Sequence, residues 1–271
     1  MDSSLIQKVE SLLRHVAEQE ILSRFKNLGE GDVTYKSDHG DVVTTADLEA
    51  ENRIREGLLK LIPDSHVIGE EEAFNTPDIF EKLNDHKPVW IVDPVDGTRN
   101  FCDGKSCFAV ICALVLDGET QMGWILDPVA DACITAQKGK GAYLGPQKLT
   151  HSFVPDDISS MTGSVGECIQ NRLKKRKDVT LPERFVRYHC VGREYMDLAL
   201  GKIHFALYGG KMMPWDHAAG ALMVEETGGF VRTVDGKRAY SPLRQGPEER
   251  LLIAPDERTF DLLVQTLTSK S

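Results

Sequence analysis

The stretch Val89-Trp90-Ile91-Val92-Asp93-Pro94-Val95-Asp96-Gly97-Thr98 constrains this chain more than any other. Its run of apolar residues, Val89 to Val92, predicts a short buried strand. Pro94 has no amide hydrogen to carry a sheet ladder onward, so the strand is expected to stop there. Asp93 and Asp96 then fall in the following turn, where Gly97 supplies backbone freedom and Thr98 a hydroxyl. The amides of Gly97 and Thr98 can open a short helix, a natural seat for phosphate. Two acids this close at a strand end repel one another unless they share a cation, and oxygen ligands suit Mg²⁺, Mn²⁺ or Ca²⁺. The competing reading is an ordinary surface turn rich in Asp and Gly.

The flanking sequence places this stretch in an α/β chain. Leu5, Val9, Leu12, Leu13, Val16, Ile21 and Phe25 predict an amphipathic helix over 4–28, with Ser3 or Ser4 as cap and Gly29 as left-handed stop. Two short strands are expected within 31–44 around Asp38-His39-Gly40-Asp41. Thr44 or Thr45 then caps a helix over 46–61. Asp47 lies in its first turn, where the helix dipole alone explains a carboxylate. His66-Val67-Ile68-Gly69 reads as a strand running into Glu70-Glu71-Glu72. If that strand neighbours the one at 89–92, both acid clusters lie at one sheet edge, where open α/β sheets bind ligands. Apolar runs at 106–117, 121–127 and 131–137 read as strands, with Asp117-Gly118 as a turn; Gly139, Gly141 and Gly145 mark loops without a GxGxxG pattern.

A polar stretch at 146–160 suggests a boundary between halves at 1–148 and 149–271. Beyond it, strands at 185–190, 203–208 and 230–235 alternate with helices at 193–200, 216–227 and 256–268. Pro214 and Asp216 mark a helix start whose Ala218, Ala219 and Gly220 permit close packing. Read by itself, Asp216 is an N-cap.

Charge and composition exclude other classes. A net charge of −10 argues against a dedicated nucleic-acid binder, and the basic run Arg172 to Lys177 lacks interleaved aromatics and reads as a solvated loop. No signal peptide or membrane-spanning segment is visible, which points to a cytoplasmic protein. The 6 cysteines form no CxxC pair and are read as reduced, mostly buried thiols, with Cys102, Cys107 and Cys112 as core residues.

Together the pieces are far more specific than apart. Gly69-Glu70-Glu71, then Asp93-Pro94-Val95-Asp96-Gly97-Thr98, then Trp215-Asp216-His217-Ala218-Ala219-Gly220 resemble the three motifs of the inositol monophosphatase family. The Val42 to Asp47 segment resembles a fourth, and the likeness covers about residues 5 to 260. The resemblance implies a layered α/β/α/β/α sandwich of the inositol monophosphatase and fructose-1,6-bisphosphatase type, built as a homodimer. It also implies lithium-sensitive, Mg²⁺-dependent hydrolysis of a small-molecule phosphate monoester by activated water, with two or three ions. By position, Glu70, Asp93 and the Val95 carbonyl would hold one ion, and Asp93, Asp96 and Asp216 a second. A third would lean on Glu70. Thr98 and Asp47 would orient and deprotonate the water, and the Gly97 and Thr98 amides would hold the phosphate.

The physical chemistry agrees with that assignment. Phosphate-monoester hydrolysis is slow enough uncatalysed for rate factors up to ~10²¹. Two cations about 3.5–4 Å apart can stabilise both the entering and leaving oxygens. The alcohol half of the substrate is less constrained. Members specific for inositol phosphate usually carry an acid shortly before the Trp-Asp motif. Here Leu207 to Met213 contains none. Where the family often has Gly-Thr/Ser-Ala-Ala, this chain has Gly192-Arg193-Glu194-Tyr195. Arg193 can pair with a second anion and Glu194 with a hydroxyl or amine, or the two can form a plain surface salt bridge. Inositol 1-phosphate is the default substrate. Histidinol phosphate, a sugar bisphosphate and a nucleotide 3′-phosphate are the alternatives, and a catalytically silent regulator on the same fold is the competing class.

Overall fold

The computed structural model describes residues 3–29, 31–35, 42–150, 155, 157–243 and 249–268. Its N-terminal layer is α1 (Ser3–Val16), continued by a π-helical segment Ala17–Leu22, and α2 (Thr45–Leu61). The expected single helix over 4–28 thus changes pitch at Ala17, and the left-handed residue that follows is Lys26 (φ 62°) rather than Gly29. Buried Glu20 accounts for this widened turn being anchored, because it pairs with both Arg24 and Arg53 at 2.6 Å. Strands β1 (Val33–Tyr35) and β2 (Val42–Thr44) pair antiparallel; the expected turn at Asp38 to Asp41 lies outside the described residues.

A seven-stranded sheet follows. It contains β3 (His66–Gly69), β4 (Val89–Asp96), β5 (Ala109–Leu116), β6 (Glu119–Asp127), β7 (Ala132–Gln137), β8 (Gly141–Leu144) and β9 (Gln147–Leu149), in that spatial order. Every residue of β4 is buried. Its alternate side chains serve two cores: Val89 and Ile91 face one, Trp90 and Val92 the other. This two-sided burial is why the strand reads as a continuous apolar run rather than an alternating one. Asp117 (φ 49°) and Gly118 (φ 74°) make the expected tight turn between β5 and β6.

The second sheet has five strands: β10 (Thr162–Val165), β11 (Arg184–Val186), β12 (Phe205–Gly209), β13 (Phe230–Thr233) and β14 (Arg250–Ala254), ordered β11-β10-β12-β14-β13. Between the sheets lie α6 (Val191–Ala199) and α7 (Pro214–Glu226), whose residues share a core with both. Gly220 explains how closely these two helices pack, since a Cβ there would lie 2.1 Å from the Tyr195 ring. On the outer face are α5 (Glu167–Leu173) and α8 (Glu257–Thr268). The result is the expected α/β/α/β/α layering.

Several expectations are corrected. The strand does not end at Pro94. It runs on to Asp96, and the pairing with β5 shifts register between Asp93 and Asp96, so the residue lacking an amide hydrogen sits in the irregularity. β8 and β9 occupy a glycine-marked stretch that reads as loop, while β10, α5 and β14 are absent from the sequence reading. In the basic run, Arg172 and Arg176 donate to the carbonyls of Leu267 and Thr266 at the end of α8, where a cation suits the helix dipole.

Candidate active site

β3 and β4 are parallel neighbours, with Gly69 opposite Val92, so their carboxyl ends project at one sheet edge. From β3 the chain enters α3 (Glu70–Asn75). The start of this helix is held by buried Glu51 of α2, whose carboxylate accepts from the amides of Glu71 (2.8 Å) and Glu72 (3.0 Å). Glu51 is absent from the sequence expectations. It lies mid-helix, and no local pattern marks it as a cap for another element.

Beyond β4, Gly97 adopts a left-handed conformation (φ 90°) and opens α4 (Thr98–Cys102). A Cβ at Gly97 would meet the Cys107 carbonyl at 3.0 Å and Cys190 Cβ at 3.2 Å, so both conformation and space demand glycine. The third acid comes from α7. Its N-cap is Met213, so Asp216 is not the cap that the isolated motif suggests but sits inside the first turn. One ligand oxygen from each of Asp93, Asp96 and Asp216 lies within 4.8 Å of the others. Burial pushes all three carboxyls above their ordinary range, and the charge of Glu70 adds to this at each. Such a set of close oxygen donors, costly to ionise without a counter-charge, fits a hard divalent cation.

Asp96 is the most supported of these acids. Its Oδ1 accepts from Val191 N at 3.1 Å, and its Oδ2 from Gly192 N at 2.5 Å and the Cys190 thiol at 3.0 Å. Asn100 Nδ2 donates to the carbonyls of Cys107 and Tyr188, at 2.9 and 2.8 Å, pinning the 188–192 segment against α4.

Asp47 is 1% exposed and does two things. Its Oδ2 accepts from Thr44 N at 2.8 Å, completing a capping box in which Thr44 caps α2. Its Oδ1 is 3.1 Å from Thr98 Oγ1, which also lies 2.9 Å from the Val95 carbonyl. Burial raises the Asp47 carboxyl to about 6, against the lowering effect of its hydrogen bonds from Thr44 and Thr98.

Arg193 and Glu194, both offered to a substrate by the sequence, are engaged by the protein and not by each other. Arg193 pairs with Asp127 at 2.7 Å and Asp197 at 3.5 Å. Glu194 is buried and accepts from Ser164 and Tyr208, each at 2.8 Å. Neighbouring His217 is neutral, its imidazole pushed down to about 3 by burial and 3.0 Å from the Tyr195 hydroxyl.

A fold with two sheets around paired helices, and with these acids converging from β4 and α7, defines a class. The chain belongs to the inositol monophosphatase family, whose model matches residues 2–270. A Thermotoga maritima protein named fructose-1,6-bisphosphatase/inositol-1-monophosphatase is 29% identical over 209 residues, covering 76% of this chain and 77% of its own. A Xylella fastidiosa protein named Nus factor SuhB is 29% identical over 271 residues, covering 95% and 89%. The solved structure of Staphylococcal IMPase-I complexed with products superposes with a TM-score of 0.81 at 18% identity, covering 100% of this chain and 97% of that one.

Proposed function

We propose that this chain is a Mg²⁺-dependent phosphatase of small-molecule phosphate monoesters, with inositol 1-phosphate as the first substrate to try. The observation that carries this reading is the cluster of Asp93, Asp96 and Asp216 beside a Thr98–Asp47 pair. In it, Glu70, Asp93 and the Val95 carbonyl would hold one Mg²⁺, and Asp93, Asp96 and Asp216 would hold another. When bound, the ions supply positive charge for the phosphoryl oxygens and make a coordinated water more acidic. Thr98 Oγ1 takes a proton from the attacking water and passes its own to Asp47 Oδ1. With a carboxyl raised to about 6, Asp47 holds that proton near neutral pH more readily than an ordinary aspartate would. The amides of Gly97 and Thr98 orient the phosphate. We place Arg193 and Glu194 behind the substrate site, where they fix the Gly192 amide and the Tyr208 hydroxyl respectively. The division into halves at 1–148 and 149–271, the homodimer, lithium sensitivity and cytoplasmic residence belong to the same reading.

The relative named Nus factor SuhB supports a second reading, a regulatory protein that has kept the fold. One experiment separates the two. Purified protein is given inositol 1-phosphate, histidinol phosphate, a sugar bisphosphate and a nucleotide 3′-phosphate, and released phosphate is measured with Mg²⁺ and with a chelator. Mg²⁺-dependent release from at least one is expected. No release from any of them at millimolar Mg²⁺ would leave the regulatory reading.

A further inference from the structure

The helix that brings Asp216 to the candidate active site also walls a separate cavity of about 540 Å³, a volume that suits a small molecule. Ala218, Ala221, Leu222 and Glu225 line it from α7, because residues three or four apart share one helix face. About 14 Å of helix separates Asp216 from Glu225, so the two sites are distinct. The facing walls come from the start of β6, the end of β7 and the 238–242 segment beyond β13.

The charges around this cavity do not balance. Lys138 is held by Glu119 at 2.6 Å, Arg238 pairs with Glu249, and Glu225 pairs with Arg232 at 2.6 Å. Glu226 has no ion-pair partner among the described residues. Its two oxygens accept from the amides of Gly139 at 2.6 Å and Gly141 at 2.7 Å. Both glycines are left-handed (φ 71° and 102°), and the turn they make aims both amides at the carboxylate. Amides fix the carboxylate in place but carry no charge to offset it, and each oxygen keeps a free lone pair. Glu226 also lies at the negative pole of α7, whose last turn contains no basic residue. Two neutral groups lack partners as well. The hydroxyls of Thr120 and Tyr240, both lining residues, are buried without a hydrogen bond among the described residues.

We propose that this cavity binds a small organic ammonium, an amine on a short aliphatic body, with its charged end toward Glu226 and Tyr240 and its carbon chain on Ala218, Ala221 and Leu222. The site stands whether or not the protein is a phosphatase. An ammonium supplies the positive charge that Glu226 lacks, N–H donors for the two idle hydroxyls, and a cation for the Tyr240 ring. Its methylenes cover the apolar residues of α7. The same features turn other ligands away. A phosphate or carboxylate meets Glu119, Glu225 and Glu226, with only paired cations to receive it. A bare divalent ion needs several close oxygen ligands, and among the described residues such a group occurs only at Asp93, Asp96 and Asp216.

The test is isothermal titration of the full chain at saturating Mg²⁺ with three probes that share a four-carbon body: 1,4-diaminobutane, 1,4-butanediol and succinate. The diamine should bind one to one, and neither the diol nor the dicarboxylate should bind measurably. Tyr240→Leu and Glu226→Gln should each raise the diamine Kd about 10-fold, whereas Asp216→Asn should leave it unchanged. If the first two variants do not fold, nuclear Overhauser effects from the diamine methylenes to the methyls of Ala221 and Leu222 in the unaltered protein locate the ligand, and their absence counts against the site. Failure of the diamine to bind, equal binding of the diol, or many diamines per chain would overturn the proposal. So would binding that Asp216→Asn abolishes and Tyr240→Leu does not, since the amine would then sit on the acids of the candidate active site. One-to-one diamine binding that depends on Tyr240, in a protein that releases no phosphate, would uphold this site while removing the phosphatase reading.

Discussion

Thr98 Oγ1 stands 3.1 Å from Asp47 Oδ1 and 2.9 Å from the Val95 carbonyl, so its single hydroxyl proton has two acceptors within reach. The contact joins the first turn of α2 to the first turn of α4 through residues far apart in sequence. If the pair moves one proton together, Thr98→Ala and Asp47→Asn should each lower kcat by about 10²–10⁴-fold with little change in KM. The double variant should be little worse than either single. Steady-state kinetics on the best substrate of the panel checks this, and multiplied losses would mean that the two act separately.

Asp216→Asn separates charge from fold. Asp93, Asp96 and Asp216 are like charges pushed up by burial and by one another. Removing one charge should raise the melting temperature of the Mg²⁺-free protein at pH 7, abolish most Mg²⁺-induced stabilisation and reduce turnover at least 100-fold. A Mg²⁺ response equal to wild type in differential scanning fluorimetry would exclude Asp216 as a ligand. Asp96→Asn is a less clean variant. Its amide would turn an N–H toward the donors of Val191 or of Gly192 and Cys190, a mismatch costing about 1–3 kcal/mol.

The same acids set a pH dependence. Asp47 is raised from 3.8 to about 6, and the three clustered carboxyls are raised as well. A carboxyl with a higher pKa in the folded state binds its proton more tightly there. Its contribution to stability is therefore complete below about pH 4 and is lost as pH rises through about 6. Mg²⁺-free protein should lose stability from pH 4 to beyond 6, and the stabilisation by added Mg²⁺ should grow over the same interval. Melting curves across that range with and without Mg²⁺ decide it. A Mg²⁺ effect that shrinks with rising pH would contradict the picture.

Arg193→Ala and Glu194→Gln should behave differently on a substrate panel. Arg193 is tied to Asp127 and Asp197 and stands next to the Gly192 amide on Asp96. Its loss should lower kcat/KM by a similar factor for every substrate. Glu194 holds Tyr208 in β12, inside the segment that lacks the family's usual acid. Its change should reorder the panel, with shifts of about 1.5–3 kcal/mol for the most affected substrates. A reordering by Arg193→Ala that costs most for doubly anionic substrates would instead put its guanidinium against the substrate.

The layering and the shared edge of the acids were legible because they rest on local signals. β3 and β4 are short apolar runs ending in carboxylates, and their parallel pairing sets Glu70 beside Asp93. Asp216 was legible through its motif, although its isolated reading as a cap did not survive. What escaped is what other layers supply. Glu51 caps α3 from α2, Ser164 of β10 meets Glu194 of α6, and Cys190 reaches Asp96 across the sheet edge. None of these pairings leaves a periodic or spaced trace in the chain. β8 and β9 escaped for another reason. They are only 4 and 3 residues long, and pairing makes them strands, β8 against β7 and β9 against β8.

The seating of α6 and α7 between the two sheets bears on how the protein is made. Translation delivers β3 and β4 well before Val191, Gly192 and Asp216, so the nascent N-terminal sheet carries Asp93 and Asp96 at its edge while their partners are still inside the ribosome. Until α6 docks, Asp96 lacks every donor that steadies it, and until α7 docks the third acid is missing. On the proposed reading, a cation held by these acids would therefore find its site complete only late in biogenesis, and it would favour the state in which both sheets are closed on the helices between them.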